Sequence, residues 1–319
     1  MKPIGGYFEL ELPQRSEYHS KAISLNTGRN CLEYILRVRG YKRVYLPYYS
    51  CEVLLEPFNN LGTEYTFYHI NERLELDEDI QLQDGEALLC INYFGLKQDY
   101  IITLAAKYGQ QLIVDNTQAF YALPIDGIDT FYSCRKFFGV ADGAYLYCDK
   151  TLEMDLEQDQ SWDRMDYLLK RIDLSPQAAY TDFRTRSSAL RNCPIKTMSN
   201  LTHRVMASID YQQVASRRRD NYRLLDDTLK DINYRLLQLT GDEVPMAYPY
   251  YIENGSCLRQ HLIEHHVFCA RYWPNILDWC SPIDWEYQLA ENLVCIPIDQ
   301  RYNENDMQNI VSLLAYFQL

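Results

Sequence analysis

Between residues 24 and 150 the chain alternates short apolar runs with stretches whose apolar residues recur at helical spacing, and this alternation constrains the fold more than any other feature. Strands separated by helical crossovers lie parallel, and near-continuous apolar runs mark strands covered on both faces. Strands are predicted over residues 43–46, 64–68, 87–91, 111–114, 128–133 and 144–148, with helices over 30–39, 51–60 and 98–108. Gly40, Gly62 and Gly109 stand where those helices should stop, because glycine takes the left-handed conformation that ends a helix. The expectation is an α/β protein with a mostly parallel, doubly wound sheet.

After residue 150 the pattern changes. Residues 151–195 carry scattered charge and weak periodicity, interrupted by Leu174-Ser175-Pro176, and read as a connecting segment beside a site. A long amphipathic helix is expected from residue 198 to about 231, its polar face carrying Arg217-Arg218-Arg219 as solvated charge. The remainder reads as a small α+β unit, with strands at 246–252 and 293–296 and helices at 256–266 and 305–317. Two domains follow: residues 1–195, a large one with an N-terminal arm, and residues 196–319, the long helix and the small C-terminal unit.

Acidic residues outnumber basic ones by 44 to 31, a formal charge of −13 that repels a phosphate backbone, so nucleic acid is not an expected partner. No apolar stretch approaches the roughly 20 residues that span a bilayer, and residues 1–6 lack the apolar core of a signal peptide. A cytoplasmic location and no membrane partner are expected. The ten cysteines include no Cys-x-x-Cys pair and read as buried thiols. His261 and His265 have a spacing that can hold a metal, but Leu262 stands where a zinc protease has its glutamate, and no metal site is expected.

Three segments carry candidate chemistry. Asp115 ends the run Leu112-Ile113-Val114, and ligands in open α/β sheets bind at the carboxyl ends of strands; Gln118 follows three residues later. An Asp-Asn-Thr turn or helix cap is the alternative reading. Ser133 and Lys136 close another predicted strand, and the flanking Phe137 and Phe138 would desolvate the lysine and keep its amine nucleophilic. A lysine whose stem merely covers apolar surface is the alternative. Thr27-Gly28-Arg29-Asn30 precedes a helix, as a phosphate cradle or a plain cap would. An amine for a Schiff base, a carboxylate for a pyridine nitrogen and a phosphate cradle together suit pyridoxal phosphate.

In this order the segments resemble the DegT/StrS-like sugar aminotransferases, of the aspartate aminotransferase fold (fold type I). The likeness lies in Thr27-Gly28-Arg29-Asn30-Cys31-Leu32, Tyr45-Leu46-Pro47, Asp115-Asn116-Thr117-Gln118-Ala119, Ser133 with Lys136 and Asp142-Gly143, Met198-Ser199-Asn200-Leu201 before the arginine run, Tyr248-Pro249-Tyr250-Tyr251 and Trp273-Pro274. The resemblance implies Lys136 as Schiff-base lysine and proton shuttle, Asp115 on the ring nitrogen, Gln118 on the ring hydroxyl side, and Ser133 with Thr27, Gly28 and Arg29 about the phosphate. It further implies a homodimer that moves an amino group, usually from glutamate, to a nucleotide-linked keto sugar in polysaccharide or amino-sugar synthesis. A lyase or dehydratase on the same fold, or a non-catalytic relative, is the alternative. The chain departs from the family where an aromatic residue should stack on the cofactor: Cys51 falls there, with Tyr49 or Tyr93 as substitutes. Ile195 replaces the asparagine of a segment that reaches a neighbouring subunit's phosphate, and Lys196 follows it.

Overall fold

The structure is a computed structural model that describes residues 4–230 and 237–317. An extended N-terminal segment leads into β1 (Ile23–Leu25) and α1 (Gly28–Arg39). Thr27 starts α1: its backbone is extended and its hydroxyl accepts from the Asn30 amide. Gly40 ends it at φ 66°, so the helix runs between the two signals read from the sequence. Next come β2 (Arg43–Pro47), α2 (Leu55–Leu61), β3 (Glu64–Tyr68), β4 (Glu86–Ile91), α3 (Gln98–Tyr108), β5 (Leu112–Asp115), β6 (Asp129–Ser133) and β7 (Ala144–Tyr147).

These seven strands form one sheet in the order β1-β7-β6-β5-β4-β2-β3. Pairing is parallel from β3 through β6, whereas β7 runs antiparallel to both β6 and β1. Burial follows position. Central β4 and β5 are buried along their whole length, while edge strand β3 exposes Glu64, Tyr65 and Thr66. The register sets Ile91 beside Asp115 and Asp115 beside Phe131, so the chain leaves β4, β5 and β6 on one edge of the sheet.

Residues 151–195 depart from the expected irregular connection, since they hold α4 (Asp166–Asp173) and α5 (Pro176–Ser188). The break at Leu174-Ser175-Pro176 is the joint between them: the Ser175 hydroxyl accepts from the Ala178 amide and Pro176 takes a first-turn position that needs no N–H. Leu169, Ile172, Leu174, Tyr180 and Phe183 of this hairpin are exposed. Apolar residues left on the outer side blur the helical period, which is why the helices were illegible.

The single long helix expected from residue 198 is two helices, α6 (Asn200–Met206) and α7 (Tyr211–Leu229). Asp210 restarts the helix by accepting from the Gln213 amide. Residue 231, at the expected end, lies outside the described residues. The C-terminal part contains β8 (Ala247–Tyr251), α8 (Gly255–Glu264), α9 (Ile276–Trp279), α10 (Trp285–Asn292), β9 (Leu293–Pro297) and α11 (Glu304–Phe317). β8 and β9 form a two-stranded antiparallel sheet, and the Tyr222 ring of α7 packs on Tyr248 with centroids 5.0 Å apart.

Candidate active site

The site gathers where the parallel strands end. Asp115, the last residue of β5, is 4% exposed, and its Oδ1 accepts from the Thr117 amide at 2.7 Å. The expected Asp-x-Thr turn therefore exists, and it aims the chain so that Gln118 is buried beside the strand ends. Gln118 Oε1 accepts from the Phe94 amide at 2.8 Å, and this bond fixes which way the carboxamide faces. Its Nε2 is buried and has no hydrogen-bond partner. A buried donor left unpaired costs about 1–3 kcal/mol, so this one marks a place for an acceptor.

Lys136 arrives from the neighbouring strand. After Ser133 the chain makes a single tight turn, with Phe137 and Phe138 both donating to the Cys134 carbonyl, and this brings the lysine back toward β5. Its Nζ donates to Thr117 Oγ1 at 2.9 Å. The side chain is open to an internal cavity while protein surrounds it closely, and that burial lowers its pKa against the opposing charges of Asp115 and Cys51. Burial likewise raises the Asp115 carboxyl, opposed by Lys136 and the Thr117 hydrogen bonds. Each group resists ionisation there, as expected of charges held for a ligand rather than for stability.

The start of α1 faces the same strands. A Cβ on Gly28 would come within 3.2 Å of Thr117 Cγ2 and 3.8 Å of the Phe131 ring, so glycine lets this backbone lie close to the strand ends without displacing Thr117. The first intrahelical bond is donated by Cys31 to the Thr27 carbonyl, so the Gly28 and Arg29 amides precede it. The Thr27 hydroxyl is engaged with Asn30, by the amide and by Oδ1 at 2.5 Å, so the plain-cap reading holds for this side chain. Arg29 is tied to Glu56 at 2.6 Å. Ser133, at the end of β6, is partly open.

Cys51 sits close enough to Lys136 and Arg29 that both lower its thiol pKa, while burial, the larger effect, raises it. Tyr49 is different. It is fully buried against Tyr93 and Trp273, at centroid distances of 5.6 and 5.2 Å, and its carbonyl accepts from the Tyr93 hydroxyl. Of the two, the structure brings Cys51 to the lysine.

Three groups make contacts that the sequence reading did not assign to them. Thr117 links Asp115 to Lys136, yet nothing in Asp-Asn-Thr marks it out. Asp142 is completely buried and accepts from Ser199 N at 2.9 Å, Ser199 Oγ at 2.8 Å and Thr202 Oγ1, pinning the segment after the lysine to α6. Arg218, expected on a solvated face, is 1% exposed. It stands over the Phe137 ring at 4.5 Å and donates to Gln300 Oε1 at 3.1 Å and the Met246 carbonyl at 3.0 Å. A signal was available: Arg218 falls four residues after Val214 and four before Tyr222, both buried, while Arg217 points outward.

This donor set suits pyridoxal phosphate. A buried carboxylate fits a protonated ring nitrogen, the orphaned Gln118 Nε2 fits a ring oxygen, the glycine-floored helix start fits a phosphate, and the lysine fits an aldehyde. No protein-family model matches the sequence, and no curated protein does. Solved structures do match. A DegT DnrJ EryC1 StrS aminotransferase from Brucella abortus has a TM-score of 0.62 at 15% identity, covering 93% of this chain and 85% of its own. The sugar aminotransferase CalS13 from Micromonospora echinospora gives 0.63 at 14%, covering 92% and 87%. DesV of S. venezuelae, in complex with a ketimine intermediate, gives 0.64 at 14%, covering 93% and 84%. Over nearly its whole length, the chain has the fold of the DegT DnrJ EryC1 StrS aminotransferases.

Proposed function

We propose that the protein is a pyridoxal-phosphate-dependent aminotransferase that moves an amino group, from glutamate or a similar donor, to a keto sugar, nucleotide-linked as in polysaccharide or amino-sugar synthesis. The observation that carries this is the placement of buried Asp115 and the buried, unpaired Gln118 Nε2 at the strand ends, with the more open Lys136 joined to the same turn through Thr117. Asp115 would hold a proton on the ring nitrogen, Gln118 Nε2 would donate to the ring oxygen, and Ser133 with the Gly28 and Arg29 amides would hold the phosphate. When bound, the cofactor supplies an aldehyde that condenses with amines and a ring that withdraws electrons. Lys136 Nζ, whose pKa burial lowers, takes a proton from one carbon and returns it to another. Thr117 Oγ1 orients that amine. Cys51 occupies the side where the family resemblance places an aromatic ring.

In this proposal residues 1–195 form the cofactor-binding unit and residues 196–319 the unit that closes over it. The functional form is a homodimer, supported by the apolar residues left exposed on α4–α5 and by Tyr7 and Phe8 of the arm. A cytoplasmic place suits such substrates, and no described helix is long and apolar enough to cross a membrane.

The test is an absorbance spectrum of the protein with added pyridoxal phosphate, before and after glutamate. The expected result is a long-wavelength cofactor band that glutamate bleaches and that Lys136→Ala never develops. A band indifferent to glutamate points to another donor or a lyase, and the absence of any band sinks the reading.

A further inference from the structure

Lys136 sits on a single turn, and the chain just past it is held from a distance. The Phe137 and Phe138 amides close that turn onto the Cys134 carbonyl, whereas the Phe137 carbonyl, one residue beyond the lysine, accepts from the far end of the chain. Gln300 Nε2 donates to it at 2.8 Å, and Arg218 Nη2 reaches it at 3.5 Å. Gln300 lies between β9 and α11. Its Oε1 accepts from Arg218 Nε at 3.1 Å, so both ends of the carboxamide are engaged and its orientation is fixed.

Arg218 is the post behind Gln300. It is buried on α7, stands over the Phe137 ring at 4.5 Å, and donates through Nη1 to the Met246 carbonyl at 3.0 Å. Asp299 offsets its charge from the same wall, although the direct bonds of that carboxylate go to Arg301. One turn further along α7, buried Asn221 donates to the carbonyls of Ile298 and Tyr302, both at 3.1 Å, and so fixes the turn that presents Gln300. The bonding continues to the other side of the site. Met246 N donates to the Phe94 carbonyl at 2.9 Å, and Phe94 N to Gln118 Oε1 at 2.8 Å. One run of hydrogen bonds thus joins the residue after Lys136 to Gln118, and its middle members are Gln300, Arg218 and Met246.

We propose that Gln300, braced by Arg218, is a positioning residue for Lys136: it ties the backbone beside the lysine to the C-terminal part of the chain, so that Nζ is held at Thr117 and in register with Gln118. The inference rests on the aminotransferase reading for what Lys136 does, though not for the tie itself. A lysine ends in a compact charge on a flexible stem, and Thr117 Oγ1 is the one group to which Nζ donates among the described residues. Such a side chain keeps its aim only when its backbone is fixed, and misplacing a catalytic group by about 1 Å costs on the order of a hundredfold in rate. Gln300 does not line the cavity beside Lys136, so it acts through the lysine and not on a substrate.

Two substitutions separate positioning from packing. Gln300→Met removes both hydrogen bonds, whereas Gln300→Glu keeps an acceptor for Arg218 and loses only the donor to the Phe137 carbonyl. In both, the saturating rate at which glutamate bleaches the cofactor band should fall roughly tenfold to a hundredfold. The half-saturating glutamate concentration, the affinity for pyridoxal phosphate and the melting temperature of Gln300→Glu should stay near their wild-type values. A wild-type rate in Gln300→Glu overturns the proposal, because the loss in Gln300→Met would then follow from the unpaired Arg218 alone. A second readout needs no cofactor: trace acetic anhydride labels Lys136 at a rate set by its free amine, so mass spectrometry across a pH series gives its titration midpoint. That midpoint should lie below the ordinary 10.5 in wild type and move up toward it in Gln300→Met, as the lysine leaves its closely surrounded place. If wild type forms no cofactor band but the midpoint still moves, the aminotransferase reading falls and the positioning role stands. An equal midpoint in wild type and Gln300→Met overturns the proposal whatever the band does.

Discussion

Asp115 illustrates how a residue proposed to serve a ligand differs from a stabilising one. Its burial raises its pKa, and it makes no ion pair among the described residues, so the ionised form is a burden on the folded state. Asp115→Asn should therefore leave the melting temperature unchanged or slightly higher, while slowing bleaching of the cofactor band by glutamate roughly a hundredfold or more. A fall in both would make Asp115 a structural residue. The pair Asp115 and Gln118 was readable from a strand end and a spacing, and Lys136 from a charge set beside two phenylalanines. Thr117 was not, because its role arises only when β5 and β6 lie side by side. Arg218 shows the opposite case: its helical phase placed it inside, yet the charge of the run suggested water.

Among elements, the joints between the lysine loop, α6 and the N-terminal segment are held by buried polar bonds. Asp142→Ala would strand the donors Ser199 N and Thr202 Oγ1 in a buried place and leave Ser199 Oγ with Ser161 alone as an acceptor. The expected cost is about 3 kcal/mol or more, measured by chemical denaturation. Nearby, His203 Nδ1 and Glu17 Oε1 lie 2.7 Å apart and tie α6 to the N-terminal segment. The Glu17 hydrogen bond raises the His203 pKa above 6.5, with burial opposing. Burial works to raise Glu17, but the hydrogen bonds to His203 and Tyr145 outweigh it and leave the carboxyl below 4.5. The His203 contribution is complete below pH 6.5 and fades as pH rises through its higher folded value. That of Glu17 is complete above pH 4.5 and fades as pH falls through its lower folded value. Melting temperature should thus be favoured between those limits, and His203→Gln should flatten the alkaline side of the profile. The helices α4 and α5 were illegible for a related reason: a helix with apolar residues on its open side has no clean period to read.

At the scale of the whole molecule, the exposed Leu169, Ile172 and Phe183 are surface that a monomer rarely leaves open in one patch. Sedimentation of wild type should give a dimer, and Leu169→Glu with Ile172→Glu should give a folded monomer; an unchanged dimer would move the interface elsewhere. The amino-acid sequence by itself determined the α/β class, the strands and helices up to residue 150 apart from the three-residue β1, and the chemical types at Asp115, Gln118 and Lys136, because backbone periodicity and turn chemistry are local. Only the tertiary structure decided the strand order, the inward turn of Arg218, the break between α6 and α7, and the cavity that Lys136 lines together with Arg218 and Arg301. Those depend on which distant segments share a wall, and Arg218, Ala270 and Arg301 meet only after the C-terminal strands have folded back over the lysine.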